Sequence, residues 1–169
     1  KMKLCGGQLY VLDVILERIE SALLRKWLLE KFQADGNGIK QCLPQDPNQA
    51  GKFQKAELAK DMHGLDFRFS PEQKDKDTRA APFIAQCGAG NVFIVNAEWT
   101  EAYVSYITKF PATRFKDAMD ATSRCHMELT FSAASGFNEL GGAPIVHTLE
   151  DAVHVDNTYG LRGFHHHER

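Results

Sequence analysis

The stretch that decides the fold is Asn91–Cys125, NVFIVNAEWTEAYVSYITKFPATRFKDAMDATSRC. Asn91–Asn96 is a short apolar run of β-branched and aromatic residues, the pattern of a buried strand. Glu98–Thr108 follows as a helix, Phe110-Pro111 breaks it, and Arg114–Phe131 reads as a second helix. In that last helix Asp117 and Asp120 stand at i and i+3, and so share one face. An Asp pair of this kind is ordinarily a solvated helix face, and its spacing does not distinguish that from a ligand site.

Upstream the same alternation continues. Lys1–Cys5 and Leu9–Ile15 read as an antiparallel pair joined at Gly6-Gly7, with Asp13 inside the second strand. In Glu20–Gly36 the residues Leu23, Leu24, Trp27, Leu28 and Phe32 recur at helical spacing, and Gly36 is a natural stop. Ile39–Leu43 is a short strand closed by Pro44, and the loop PQDPNQAG (44–51) places Asp46 after it. Lys52–Gly64 is read as a helix, Leu65–Phe69 as a weak strand, and Thr78–Ala89 as a helix whose first turn lies near Pro82. Strands alternating with helices after a hairpin make an α/β domain with a mixed sheet. Beyond residue 131 the periodicity fades, so the domain is placed at 1–131 and 132–169 is read as an irregular tail.

Composition sets outer limits. The chain has 169 residues, 43% hydrophobic and 25% charged, long enough for a real core. Its apolar runs fall far short of the ~20 residues of a membrane span, and no signal-peptide pattern opens it. Cys5, Cys42, Cys87 and Cys125 are scattered with no C-x-x-C pair, which points to free thiols rather than to zinc or disulfides. A net charge of −2 with 20 Lys and Arg does not advertise nucleic acid, so any DNA contact would need a local basic patch. Candidate cations are Lys52, Lys55, Lys76, Arg79, Arg114, Lys116 and Arg124; each reads equally well as a solvating charge paired with nearby acids. Trp27, Trp99, His63, His126 and the cysteines read as structural, and His165–His167 as a polar tail.

The segments GQLYVLDVILERIESALLRKWLLEKFQADG (7–36), QDPNQAGKFQKAELA (45–59), KDKDTRAAPFIAQCGAGNVFIV (74–95) and Ala97–Cys125 together resemble the C-terminal nuclease domain of tailed-phage large terminase subunits. The order Gly90-Asn91-Val92, Trp99, Phe110-Pro111, Asp117-Ala118-Met119-Asp120-Ala121 carries most of the likeness, which spans about residues 4–131. The resemblance implies an RNase H-like mixed central sheet flanked by helices, lacking or truncated at its first strand. It also implies a Mg2+- or Mn2+-dependent endodeoxyribonuclease that cuts concatemeric double-stranded DNA by two-metal-ion phosphodiester hydrolysis. By position it assigns the catalytic and metal-binding roles to Asp46, Asp117 and Asp120. Lys52, Lys76, Arg79 and Lys116 are the candidate DNA contacts, Lys76 and Arg79 because they lie in a family-like KDTRA string.

Implied partners are duplex DNA, the terminase ATPase domain, the small terminase subunit and the portal, in the cytoplasm of an infected bacterial host and away from membranes. Two departures point the other way. The family's final motif, His-Asp-Asp-x-x-Asp, here has Phe115 and Lys116 in its first two places, and its first catalytic acid would precede Lys1. No G-x-x-x-x-G-K-[ST] loop occurs. The alternative reading is therefore a non-catalytic module that holds DNA or docks onto the portal and packaging partners, with an incomplete metal site.

Overall fold

The computed structural model describes residues 1–45, 56–71, 75–113, 116–134 and 152–155. In chain order its elements are β1 (Met2–Cys5), β2 (Gln8–Val11), α1 (Ser21–Asp35), β3 (Gln41–Gln45), β4 (Phe67–Pro71), α2 (Lys76–Gly88), β5 (Val92–Val95), α3 (Thr100–Thr108), α4 (Asp117–Ala134) and β6 (Ala152–Val155). Residues 56–61 are also helical. The described residues divide into two compact units, one formed by 1–16, 75–134 and 152–155, the other by 17–71.

In the first unit Gly6 and Gly7 close the β1–β2 hairpin with φ of 57° and 81°, a left-handed pair that suits the twist of two-residue hairpins. β2 pairs in parallel with β5, placing Leu9, Tyr10 and Val11 opposite Val92, Phe93 and Ile94; β6 pairs with β5 antiparallel. The sheet order is β1-β2-β5-β6, a mixed sheet. Alternation decides its faces: Leu9, Val11, Val92 and Ile94 are fully buried, whereas Tyr10 and Phe93 point to the other side and stack with centroids 5.2 Å apart. The buried face packs against Ala80 and Phe83 of α2, Tyr103 and Ile107 of α3, Phe110, and Met119 of α4.

Several boundaries differ from the sequence reading. β2 stops at Val11, so Asp13 lies beyond the strand, where its carboxylate meets Lys1 Nζ at 3.3 Å. α2 begins at Lys76 rather than near Pro82, because the Asp75 carboxylate caps it by accepting the Thr78 N–H at 2.8 Å and the Thr78 hydroxyl at 2.7 Å. Pro82 therefore sits inside the helix. Residues 152–155, within the stretch read as an irregular tail, form the edge strand β6.

The second unit joins α1 to the parallel pair β3·β4, with Gln41 opposite Phe67. Phe32, Leu58 and Met62 form its core, with Leu28, Leu29, Leu43, Leu65, Phe67 and Phe69 around them. Gly36 ends α1 at φ 67° as read, its N–H donating to the Phe32 and Gln33 carbonyls. The N-terminal apolar residues Leu23 and Leu24 are exposed, so the core is made by the C-terminal half of the helix.

Candidate functional site

α2 and α4 start side by side and run in the same direction. Lys76 faces Asp117, Arg79 faces Asp120, and Phe83 packs edge-on against His126, an ascending register along both helices. The packing that sets this register is apolar on one side, with Ala80 and Phe83 of α2 and Met119 of α4 buried in the same core. Buried hydroxyls on α4 turn back onto its own backbone: Ser123 Oγ donates to the Met119 carbonyl at 2.8 Å, and Thr122 Oγ1 to Ala118 at 2.8 Å.

Charges pair across the two first turns. Lys76 Nζ donates to Asp117 Oδ1 at 2.9 Å, and Lys116 Nζ to Asp77 Oδ1 at 3.0 Å. Deeper in, Asp120 Oδ1 accepts from both Arg79 Nη2 and Arg79 Nε, the latter at 3.1 Å. Asp120 Oδ2 faces Arg124 Nη2 at 3.7 Å and Lys76 Nζ at 4.0 Å. Exposure separates the two acids sharply. Asp117 is 91% exposed and Asp120 14%, while the Arg79 and Arg124 side chains are 6% and 7% exposed. Lys76, Arg79, Lys116 and Arg124 thus stand among the carboxylates of Asp77, Asp117 and Asp120, with the Asp75 carboxylate capping α2 at the same end. The two helix N-termini add further positive potential.

A family model described as the terminase RNaseH-like domain matches residues 2–129. The chain belongs to that family. No curated protein and no solved structure matches it. The mixed α/β fold is thus RNase H-like, and the chain is a terminase module of the nuclease type, tied to DNA and its packaging.

The sequence-derived residues of this terminase domain fall into two groups. Asp117, Asp120, Lys76, Arg79 and Lys116 come together at the α2–α4 start. Arg79, read from sequence as a DNA contact, has its guanidinium inside the cluster and bonded to Asp120. Asp46 and Lys52 lie outside the described residues, as do Lys55, Arg114 and His165–His167. Asp77 was missed by sequence reading. The signal for it was the dipeptide Lys-Asp, which opens α2 (76–77) and straddles the start of α4 (116–117), letting each lysine cross to the other segment's aspartate.

RNase H-like nucleases typically use divalent metals, and a hard cation such as Mg2+ wants carboxylate oxygens free to meet it. Among the described residues no group of three or more His, Cys, Asp or Glu side chains could hold a metal. One of the two acids brought together here already has a guanidinium on one oxygen and two more cations near the other. By themselves the described residues do not fit a metal centre.

The remaining titratable groups lie away from this cluster in role. Burial pushes the Cys87 thiol up to about 12 and raises Cys125 as well, so neither is a ready nucleophile or thiolate ligand. Burial lowers His126, whose Nδ1 has no hydrogen-bond partner among the described residues. Trp99 packs on the core edge-on to Tyr103, the structural role expected of it.

Proposed function

We propose that this terminase domain is a DNA endonuclease that cuts concatemeric double-stranded DNA during genome packaging in the cytoplasm of an infected bacterial host. Mg2+ or Mn2+ is the cofactor that goes with that reading, and the ATPase domain, small terminase subunit and portal are its packaging partners. What carries the proposal is the terminase RNaseH-like match over residues 2–129. Asp46, Asp117 and Asp120 are the acids that the resemblance singles out. Of the two among the described residues, Asp117 is the better placed to meet a ligand: it is almost fully exposed and held by a flexible, half-exposed lysine. Lys76 and Lys116 stand beside it as candidates for backbone phosphates, contacts that position a duplex without reading its sequence.

The test is nicking of supercoiled plasmid with and without Mn2+, using the full chain and Asp117→Asn. Nicking that requires Mn2+ and disappears in Asp117→Asn, at an unchanged melting temperature, is the expected outcome. A wild-type chain that neither binds Mn2+ nor cuts would sink the nuclease reading.

A second reading, a module that holds DNA or docks on the portal without cutting, is favoured by the cations gathered around Asp120. It predicts duplex binding that weakens steeply with salt and does not respond to Mn2+.

A further inference from the structure

We propose that Asp120 is an anchoring carboxylate rather than a ligand-bearing one: with Arg79 and Arg124 it forms a nearly buried cluster that ties the first turn of α2 to the first turn of α4. The proposal stands on this geometry alone and holds whether or not the domain cuts DNA.

Three observations carry it. First, both guanidiniums are more than nine-tenths buried, and a charge at that depth is costly unless a counter-charge meets it. The Asp120 carboxylate faces them both. Second, the contact is directional. Arg79 places two N–H donors on one oxygen, Oδ1, across a sequence separation of 41 residues, so the bond joins two helices rather than decorating one. Third, the other oxygen is turned toward Arg124 and Lys76. A divalent cation approaching Oδ2 would meet three positive charges within a few ångströms of the carboxylate, an arrangement that opposes metal entry.

Asp117 shows the contrast. It is one turn earlier on the same helix face, yet it is open to solvent and touched by a lysine that solvent can readily replace. Two acids that look equivalent in KDAMDA therefore have different duties, one turned outward and the other holding the helices together.

The experiment is a double-mutant cycle on the full chain with Arg79→Met, Asp120→Asn and their combination, read by thermal and urea unfolding, with Mn2+ binding measured by calorimetry alongside. Removing one partner of a buried pair takes a counter-charge from the other, so each single variant should lower the melting temperature by about 6 °C or more. The two losses should be non-additive by about tenfold or more in the unfolding equilibrium constant. Asp117→Asn should move the melting temperature by less than about 2 °C. Additive losses, or an Asp120→Asn chain as stable as wild type that has lost Mn2+ binding, would overturn the assignment.

If Asp120→Asn does not fold, Arg79→Met/Asp120→Leu/Arg124→Met removes all three charges of the cluster at similar volume and should recover a folded chain. Failure to recover it would count against the anchor. A wild-type chain that binds no Mn2+ would defeat the nuclease reading while leaving the unfolding cycle to decide this one.

Discussion

Lys76 Nζ lies 2.9 Å from Asp117 Oδ1, and three residues further along each helix Arg79 is bonded to Asp120, so two ion pairs of one register differ mainly in depth. The outer pair has side chains 40% and 91% exposed, the inner pair 6% and 14%. Water screens the first and is largely excluded from the second, so they answer differently to substitution.

The outer pair is the place to look for DNA contact without loss of stability. Lys76→Met should change unfolding free energy by no more than about 0.5 kcal/mol, as expected of an exposed bridge. If Lys76 meets a phosphate, the same change lowers the slope of log affinity against log salt by about one. Fluorescence anisotropy with a labelled duplex at several salt concentrations measures it; an unchanged slope removes Lys76 from the interface.

The β1–β2 turn offers a sharp conformational test. Gly6→Asn should stay within about 0.5 kcal/mol of wild type, because Asn tolerates the left-handed region that a type I′ turn requires. Gly7→Val, at φ 81° and β-branched, should cost on the order of 1–2 kcal/mol. Urea unfolding of the two variants settles the comparison.

Acid should loosen α4 through His126. Burial holds its imidazole below the ordinary value near 6.5, so the folded state resists a proton that the unfolded chain accepts. That contribution is complete above pH ~6.5 and is lost as pH falls through the lower folded value. Stability followed from pH 7.5 downward should decline, and His126→Phe, which keeps an aromatic ring against Phe83, should flatten the decline. An identical slope in the variant would exclude His126 as its source.

Alkali acts through the opposite shift. The Cys87 thiol is raised to about 12 by burial, so its neutral form is favoured in the folded state. Its contribution is complete below the unfolded value near 8.5 and is lost as pH rises toward 12, at a slope of up to about 1.4 kcal/mol per pH unit. Cys87→Ala should reduce that slope whatever it does to stability at neutral pH. Iodoacetamide at pH 8 should label exposed Cys5 well before Cys87 or Cys125.

Much of the architecture was legible residue by residue. NVFIVN is apolar and β-branched enough to be a central strand on its own, and Gly6-Gly7 has a two-residue solution that the backbone took. Boundaries were less legible, because they depend on single caps. Asp75 lay outside the helix as read from Thr78, yet its carboxylate starts α2 two residues earlier. β6 had no signal of its own: a four-residue segment becomes a strand because β5 offers it an unpaired edge.

The candidate site divides along the same line. The sequence by itself determined that Asp117 and Asp120 share a helix face, that basic residues accompany them, and that the chain resembles a terminase nuclease domain. Only the tertiary structure decided which acid is free to meet solvent. Spacing along one helix says nothing about what stands across from it, and here a second helix sets a flexible lysine against Asp117 and a buried guanidinium against Asp120.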